Sequence, residues 1–546
     1  MIAFQKIQPK DKPIYDRYFS DGKERGAEMS FTNLCLWGEQ SYAIVEGQFV
    51  LFSRFGEYLV YTYPVGDGDK KAALDALMED AKERGIPFTL TALYEEEKKI
   101  VQALYPDMFL YHNVESFYDY VYSIDDLADL AGKKYHRKRN HAKRFSSQYA
   151  YVARPVEEGD IPRVLAFVKE WYAERQTEDG EFDMEIVALN RAMEHRAALG
   201  LYGMVLEVEG EIVAFTFANR HTADTMDVNF EKAKGIDGAY AVINQEFARY
   251  IRSILPEIRF MNREEDMGIE GLRRAKENYF PHHKLVKYRA QQKQPFCKPT
   301  AEDVPALREL WKDAFGDEDD YLDVFYSTAF APERSICLRT DDGAAQAALY
   351  WFDCGLRGEK IAYIFGVAVA KTLRGNGLCR EMMAAALSCL KAEGYKGVAL
   401  VPARTELYAM YEKLGFQKFG GVTERLVKAG DTPAVLRRLD ADEYVSLRKQ
   451  YLPEGGVEQG GENVAFLAAR TELYTGDDFV FSFVPGMGEF VVELLGNTEK
   501  APKIVRALGR EELTVRMPGD EKDFAVYQAL DEGVAFPKYF GIPFDF

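Results

Sequence analysis

The apolar positions between Ile361 and Leu390 change their spacing part-way along this stretch. From Ile361 onwards the apolar residues are continuous, as in a strand that is buried on both faces. A polar turn with two glycines follows over Lys371–Gly377. Apolar residues then return at helical spacing, at Leu378, Met382, Met383, Ala386, Leu387 and Leu390. The pattern therefore predicts a buried strand, a glycine turn and a helix.

Other stretches carry equally clear patterns. Two alternating runs joined by Glu46-Gly47 predict a β-hairpin, because alternation has the period of a strand. Helical spacing or composition predicts helices over Lys70–Glu83, Val304–Phe315, Tyr321–Phe330 and Ala501–Leu508. Strands are predicted near Val480–Val484 and Phe490–Leu495.

A helix-start pattern recurs along the chain. Asp-x-Pro begins at Asp11, Asp160 and Asp303, with offsets of 149 and 143 residues, and each copy precedes a helical run. We expect each Asp to cap a helix whose first turn contains the Pro. A fourth start at Asp440 lacks the Pro. The even spacing predicts four modules of similar build, the last one shorter.

Composition narrows the class of protein. The 546 residues are 47% apolar and 29% charged, as in globular proteins, and the net charge of −19 argues against a chain that coats nucleic acid or an anionic membrane. No apolar run approaches 18 residues, and the first residues lack a signal-peptide core. The six cysteines and seven histidines show no metal-ligand spacing. We expect a cytoplasmic protein with reduced thiols and no bound metal.

The glycine turn has the chemistry of an anion site. Gly375 and Gly377 allow the backbone to approach a phosphate closely, and the N–H groups and dipole of the following helix favour negative charge there. Arg374 adds a fixed positive charge. The run Arg374-Gly375-Asn376-Gly377-Leu378-Cys379 resembles the pyrophosphate loop of the GNAT acetyltransferases, although Cys379 stands where the family has Gly or Ala.

A second segment resembles the same family. The stretch from Gly397 reads as strand, loop and short helix, and its Tyr411 followed by Gly415-Phe416 is similar to the second GNAT signature. The resemblance implies acetyl-CoA as cosubstrate and an amine as acceptor. It implies that the backbone of Val367, Ala368 and Val369 polarises the thioester carbonyl. Tyr411 would protonate the leaving thiolate, with Tyr408 as second choice. Tyr411 could instead be a core aromatic on an amphipathic helix.

A basic run reverses the sign of the local charge. From Lys133 to Arg144, seven of twelve residues are Lys or Arg. Such a helix could bind a phosphate backbone, or it could be a solvated helix paired with acidic neighbours. Further on, Asn262–Gly268 reads as a polar loop whose acids Glu264, Glu265 and Asp266 lie beside an Arg/Lys cluster, a plausible site for an ammonium together with a phosphate or carboxylate.

These two motifs resemble a bacterial family, the phosphatidylglycerol lysyltransferases, in their C-terminal domain over about residues 1–290. That domain is a pair of GNAT-like folds that transfers an amino acid from aminoacyl-tRNA to a lipid headgroup. The resemblance implies tRNA or substrate contacts by Lys134, Arg137, Arg139 and Asn140, with aminoacyl-tRNA binding along Lys133–Arg144. It also implies a site lined by Asn262, Arg263, Asp266 and Arg273. A lipid acceptor is not implied here, since no transmembrane half is present.

The layout of the last two modules weakly resembles that of the Eis-type acetyltransferases, in which the chain's terminal carboxylate reaches the active site. The corresponding residue here is Phe546. We therefore predict an α/β (α+β) fold of four GNAT-like modules in two tandem pairs, each a mixed twisted sheet flanked by helices. The predicted boundaries are 1–148, 149–290, 297–428 and 429–546.

The predicted function is acyl transfer. Residues 297–546 would acetylate an unidentified amine, which could be a small molecule or a peptide. The N-terminal pair would be an aminoacyl-tRNA-dependent aminoacyltransferase. Alternatively, that pair would be a non-catalytic module that binds substrate or tRNA.

Overall fold

A computed structural model describes residues 1–55, 58–173, 181–340, 343–486 and 488–544. The chain forms two compact units, residues 1–292 and 293–546. Both units are mixed α/β, with mixed sheets flanked by helices. In the described part of the chain, no helix is both long and apolar enough to cross a membrane.

The N-terminal unit contains fourteen strands and eleven α-helices among its described residues. The strands are β1 (Gln5–Lys6), β2 (Glu39–Val45), β3 (Gln48–Phe55), β4 (Tyr58–Thr62), β5 (Thr89–Leu93), β6 (Phe109–Asn113), β7 (Asp119–Ser123), β8 (Tyr151–Pro155), β9 (Leu201–Val208), β10 (Glu211–Arg220), β11 (Thr225–Ala233), β12 (Phe260–Asn262), β13 (His283–Leu285) and β14 (Tyr288–Gln292). The helices are α1 (Lys12–Phe19), α2 (Phe31–Leu36), α3 (Lys70–Arg84), α4 (Glu95–Leu104), α5 (Ile124–Asp129), α6 (His136–Gln148), α7 (Ile161–Ala173), α8 (Glu181–Glu194), α9 (Arg196–Leu199), α10 (Ala239–Ile254) and α11 (Glu270–Glu277).

Two seven-stranded sheets organise this unit. The first N-terminal sheet has the order β1-β2-β3-β4-β5-β14-β6, and the second N-terminal sheet has the order β13-β7-β12-β11-β10-β9-β8. Each sheet contains one parallel pair, β4 with β5 and β11 with β12. One buried apolar cluster includes residues of β3 and β10 together with α2, α7 and α8, so the two sheets share a core.

The C-terminal unit contains thirteen strands and seven α-helices among its described residues. The strands are β15 (Ser335–Arg339), β16 (Ala345–Leu356), β17 (Glu359–Val369), β18 (Gly397–Leu400), β19 (Gln417–Phe419), β20 (Val422–Lys428), β21 (Arg437–Arg438), β22 (Glu458–Gln459), β23 (Glu472–Thr475), β24 (Phe479–Val484), β25 (Phe490–Gly496), β26 (Glu512–Pro518) and β27 (Ala525–Ala529). The helices are α12 (Val304–Phe315), α13 (Asp319–Thr328), α14 (Leu378–Ala392), α15 (Glu406–Lys413), α16 (Ala441–Tyr451), α17 (Glu462–Arg470) and α18 (Ala501–Ala507).

The C-terminal unit repeats the strand order of the N-terminal unit. Its first sheet runs β15-β16-β17-β18-β27-β19, with β22 paired to β16 off this path, and its second sheet runs β20-β26-β25-β24-β23-β21. The parallel pairs recur at the equivalent places, β17 with β18 and β25 with β26. In both units the last long strand returns to the first sheet, β14 between β5 and β6 and β27 between β18 and β19.

Strand pairing crosses two of the boundaries predicted from the sequence. Strand β7 precedes the boundary at 148–149 but pairs with β12 and β13 of the second N-terminal sheet. Strand β27 follows the boundary at 428–429 but pairs with β18 and β19. Each unit therefore exchanges strands between its two sheets, which an offset between helix starts does not reveal.

Four helices begin at the recurring acidic positions, but the capping prediction is wrong for three of them. Asp11, Asp160 and Asp303 each accept the backbone N–H of the residue three positions earlier, at distances of 2.9, 2.9 and 2.6 Å. Each Asp thus closes the short turn that leads into the helix. Only Asp440 caps its helix directly, accepting from the Glu443 N–H at 2.8 Å.

Candidate functional site

The predicted strand, glycine turn and helix are present as β17, residues 370–377 and α14. Gly375 and Gly377 have φ values of 82° and 84°, in the left-handed region that side chains disfavour. No atom lies within 4 Å of a Cβ added at either position. The backbone conformation therefore requires these glycines, and the space above them is open.

The turn presents unused hydrogen-bond donors. Within the described part of the chain, the backbone N–H groups of Gly375, Gly377, Leu378 and Cys379 donate to no other group. Gly377 occupies the N-cap position of α14 and provides no side chain to satisfy them. Arg374 donates from Nε to the Val369 carbonyl at 3.2 Å, which holds its exposed guanidinium beside the turn. These donors fit the pyrophosphate of an acyl-CoA.

The parallel strands β17 and β18 stop pairing before they reach this turn. β17 pairs with β18 only over Ile361–Ile364, opposite Gly397–Leu400. The next residues include a bulge at Gly366, whose φ is 59° and where an added Cβ would lie 2.7 Å from the Trp311 ring. Val367, Ala368 and Val369 follow the bulge, so the segment predicted to polarise the thioester lies where the two strands have stopped pairing.

The two candidate tyrosines differ in their surroundings. Tyr411 is buried, lies against Phe416 with ring centroids 5.9 Å apart, and has a pKa raised by burial and by the nearby Cys379 thiol. Tyr408 donates its hydroxyl to the carbonyls of Asp523 and Phe524, at 3.1 Å each. Tyr411 is thus the tyrosine beside the glycine turn, while Tyr408 anchors the segment before β27.

The C-terminal unit also contains the predicted site residue Phe546 and an acidic run at 317–320. Phe546 lies outside the described residues, which end at Phe544. In the acidic run 317–320, Asp317 accepts from the Trp311 indole at 2.8 Å and Asp319 pairs with Arg308 at 2.7 Å. Part of that acidic charge is therefore neutralised within the protein.

The N-terminal unit contains a cleft of about 1140 Å³. Its walls come from the segment before α2, from β11 and the turn after it, from α6, and from the loop between β12 and α11. The polar residues along it include Glu28, Asn33, Lys138, His141, Asn229, Glu231, Arg263, Glu264, Glu265 and Lys276.

An amide–carboxylate network lies at the cleft wall. The Asn33 amide donates to Asp227 at 3.1 Å and to Glu264 at 2.8 Å. The Asn229 amide donates to Asn33 at 3.0 Å and to Asp227 at 3.2 Å. In the described part of the chain, Asp227 Oδ1 and Asn229 Oδ1 are buried without a hydrogen-bond partner. Asn229 lines the cleft and its amide oxygen can only accept, so the network lacks a donor at this atom, such as an ammonium.

Burial and the proximity of other acidic groups raise the pKa values of three carboxyl groups at this site. Burial, with the charges of Glu264 and Asp119, raises the pKa of Asp227 well above its usual range. Burial and the Glu265 charge raise the pKa of Glu264 to about 8. Burial also raises the pKa of Glu265. A cationic ligand would relieve the repulsion among these groups.

A buried ion-paired lysine, Lys287, also belongs to this region of the N-terminal unit. Lys287 donates to Asp119 at 2.6 Å and to Glu28 at 2.5 Å. Burial alone would lower the pKa of Lys287, but these two carboxylates outweigh burial and raise that pKa well above its usual range. Lys287 is therefore charged and already neutralised, and it holds β7 to the segment before α2.

The four residues predicted in the loop after β12 divide into two pairs. Asn262 is buried and donates to Asp119 at 2.8 Å, while Arg263 lines the cleft and pairs with Glu231 at 2.6 Å. Asp266 and Arg273 pair with each other at 2.8 Å and are not among the cleft-lining residues. Asp266 also accepts from the Tyr120 hydroxyl at 2.8 Å, so this second pair fastens α11 to β7.

The basic helix α6 faces the cleft through residues other than those predicted. Lys134 pairs with Asp126 at 3.0 Å, and Arg139 donates to the Gly132 carbonyl at 2.7 Å. Arg137 and Asn140 are exposed. The cleft is lined instead by Lys138, whose pKa burial and the charges of Arg263 and Arg137 lower to about 8, and by His141.

Several residues of this site have no local signature in the sequence. Asn33, Asp119 and Lys287 are far apart along the chain and meet only through the sheets. Asp227 and Asn229 do have a local signature, because they place polar side chains at alternate positions, hence on one face, of strand β11, with the apolar Met226, Val228 and Phe230 between and beside them.

Two family models match this chain, one in each of its two units. Residues 19–291 match the model of the phosphatidylglycerol lysyltransferase C-terminal domain, and residues 297–419 match that of a GNAT acetyltransferase domain. No curated protein matches the chain.

Three solved structures are similar to parts of the chain. A conserved protein of unknown function from Bacteroides thetaiotaomicron VPI-5482 is 37% identical over 54% of this chain and 100% of its own, with a TM-score of 0.51. The L-PGS of Bacillus licheniformis is 16% identical over 54% and 94%, with a TM-score of 0.40. A GCN5-related N-acetyltransferase from Kribbella flavida is 18% identical over 44% and 71%, with a TM-score of 0.35.

The two matched domains are both acyltransferase domains, and the GNAT fold implies an acyl-CoA cosubstrate for the second one. Because the first model matches half of the chain, this protein belongs to the family of phosphatidylglycerol lysyltransferase C-terminal domains, carries a GNAT domain as well, and is an acyltransferase.

Proposed function

We propose that the C-terminal unit is an N-acetyltransferase that uses acetyl-CoA and an amine acceptor. The observation that carries this proposal is the set of unused backbone N–H groups at the N-terminus of α14, with Gly375 and Gly377 in the left-handed conformation and open space above them. A pyrophosphate satisfies such donors and is favoured by the helix dipole.

Different residues of this unit would have different roles in acetyl transfer. Acetyl-CoA supplies an activated acyl carbon, and the turn at 374–379 binds its pyrophosphate. The backbone of Val367–Val369 donates to the developing oxyanion, because β18 no longer pairs beside it. Tyr411 stays protonated at neutral pH, since burial raises its pKa, and it donates its proton to the leaving sulfur.

Calorimetry with acetyl-CoA tests this proposal. We expect the full chain to bind acetyl-CoA saturably with a 1:1 stoichiometry. CoA should compete for the same site. Absence of heat on titration with both acetyl-CoA and CoA would remove the proposal.

We propose a second function for the N-terminal unit, the transfer of an aminoacyl group from aminoacyl-tRNA. The buried, unpartnered acceptor Asn229 Oδ1 at the cleft favours it, because the ammonium of an aminoacyl group would supply the missing donor. Lys138 and Arg263 line the same cleft and would attract the phosphates of the tRNA acceptor end. Both cosubstrates place the enzyme in the cytoplasm.

Release of label from tRNA charged with radiolabelled lysine tests the second function. The full chain, with ethanolamine as acceptor, should release label faster than buffer alone. Binding of the charged tRNA without any release would support the alternative, a module that binds tRNA without catalysis. Absence of both binding and release would exclude a tRNA role.

A further inference from the structure

Glu264 has an unusual backbone conformation for a residue with a long side chain. Its φ is 59°, in the left-handed region, which costs free energy in any residue with a Cβ. Glycine would adopt this conformation without that cost. Conformations of this kind persist only where neighbouring groups enforce them, and they are common at functional sites.

Three hydrogen bonds enforce the conformation of Glu264. Its N–H donates to the Asn262 side chain at 2.8 Å. Its carbonyl accepts from the Tyr120 N–H at 3.1 Å and from the Lys276 ammonium at 3.1 Å. The backbone is therefore clamped from β12, β7 and α11 at once.

The clamp places the Glu264 carboxyl at the cleft. Glu264 lines the cleft, and its Oε1 accepts from the Asn33 amide at 2.8 Å. The charged groups around it come from four elements, the loop that carries Glu264 itself, β11, β7 and α11. They are Glu265, Asp227, Asp119 and Lys276. Glu264 is thus both strained and surrounded mainly by like charge, which lowers the stability of the fold.

We propose that Glu264 is the proton acceptor for the attacking nucleophile in this cleft. This inference rests on the proposed aminoacyl transfer. The acceptor amine or hydroxyl forms a bond to the aminoacyl carbonyl carbon as its proton passes to the Glu264 carboxylate. The ester bond to the tRNA ribose then breaks, and the same proton passes from Glu264 to the leaving ribose oxygen. Atoms and charge balance without a further reactant.

The environment of Glu264 suits this role. Burial and the Glu265 charge raise its pKa to about 8, within reach of neutral pH and well above that of an ordinary carboxyl. A base with a pKa near the working pH accepts and returns a proton with little cost in either direction. Label release by the wild-type chain should therefore rise with pH through about 8, because the acceptor must first lose its own proton.

The experiment compares Glu264 with a matched glutamate outside the cleft. Glu209 has a φ of 53°, lies in the turn between β9 and β10, and is absent from the cleft lining. In the lysyl-tRNA assay we expect Glu264→Gln to lower release at least 100-fold and to abolish the rise near pH 8. Glu209→Gln should leave both unchanged.

Stability measurements separate a chemical role from a structural one. Glu264→Gln removes repulsion and Glu264→Gly removes strain, so both should raise the melting temperature while activity is lost. Glu209→Gly should raise the melting temperature and keep activity. Glu264→Gln activity within twofold of wild type, or a lower melting temperature in that variant, would overturn the proton-acceptor role alone. A wild-type chain that releases no label would overturn the proposed transfer and this role together.

Discussion

The two units have the same strand order, yet the turn after the parallel strand of each first sheet is built differently. In the C-terminal unit Gly377 caps α14 and leaves its N–H groups unused. In the N-terminal unit Asp69 caps α3, and its carboxylate accepts from the Ala72 N–H at 3.0 Å. The same position in the fold therefore has unused N–H groups in one unit and is filled by the protein's own carboxylate in the other.

The glycines in the turn before α3 and in the turn before α14 also have different roles. A Cβ added at Gly68 would lie 1.9 Å from the Glu46 carbonyl oxygen, so this glycine permits close packing on the β2–β3 hairpin. A Cβ added at Gly375 or Gly377 would meet nothing within 4 Å. A Gly-x-Gly turn before a helix therefore does not identify a phosphate site unless the space above it is open.

The second N-terminal sheet closes its equivalent turn in another way. A Cβ added at Gly238, the N-cap of α10, would lie 2.5 Å from the His141 carbonyl oxygen. Asp237 pairs with His141 and Arg144, at 2.6 Å each. Helix α6 thus covers the start of α10, and the N-terminal unit builds its cleft from side chains on several segments rather than from one backbone turn.

The largest expected effect tests the free turn of the C-terminal unit. Replacing Gly375 and Gly377 together by Ala forces side chains into the left-handed region and disturbs the N–H groups, so acetyl-CoA affinity should fall at least 100-fold by calorimetry. Gly394 has a φ of 84° at the other end of α14, also in open space. Gly394→Ala should keep acetyl-CoA affinity. Equal losses in both variants would mean that strain, not the turn, explains the effect.

A smaller effect is expected at Tyr411. Tyr411→Phe removes the proton donor but keeps the buried ring, so kcat for acetyl transfer should fall by about 100-fold with little change in KM for acetyl-CoA. Tyr408→Phe removes hydrogen bonds to two carbonyls, so it should cost about 1 kcal/mol of stability and leave kcat close to wild type. The reverse pattern would exchange the roles of the two tyrosines.

The smallest effect contrasts two acids on one loop of the N-terminal unit. Burial would raise the pKa of Asp266, but Arg273 and Tyr120 outweigh it and lower that pKa from 3.8 to about 2. A lowered pKa means that Asp266 stabilises the fold above pH 3.8, and that this contribution is lost as the pH falls through about 2.

Asp266→Asn should therefore lower the free energy of unfolding by about 1–3 kcal/mol at pH 7. Urea denaturation at pH 7 and again near pH 2 measures this difference, which should shrink at the lower pH. The same loss at both pH values would show that the ion pair is not its cause. Glu264→Gln, on the same loop, should instead raise the free energy of unfolding.

The local elements were largely predictable. The hairpin turn at Glu46-Gly47, helix α12 over Val304–Phe315 and the strand–turn–helix around Gly377 are observed close to their predicted positions, because each depends on the spacing of neighbouring residues. The N-terminal site was predicted less well. Arg263 lines the cleft and Asn262 is not among the lining residues, while Asn33 and Asp227 were missed, since they are brought together by strand order rather than by sequence proximity.

The amino-acid sequence by itself determined the free turn at Arg374–Cys379, because its geometry depends on two glycines and the helix that begins beside them. It also determined the acyltransferase class through motifs of this local kind. Only the tertiary structure decided which residues of α6 face the cleft, how β14 and β27 return to the first sheets, and that Glu264 is held at the cleft wall. The physical reason is that these features depend on contacts between segments more than 100 residues apart, such as Asn33 with Glu264.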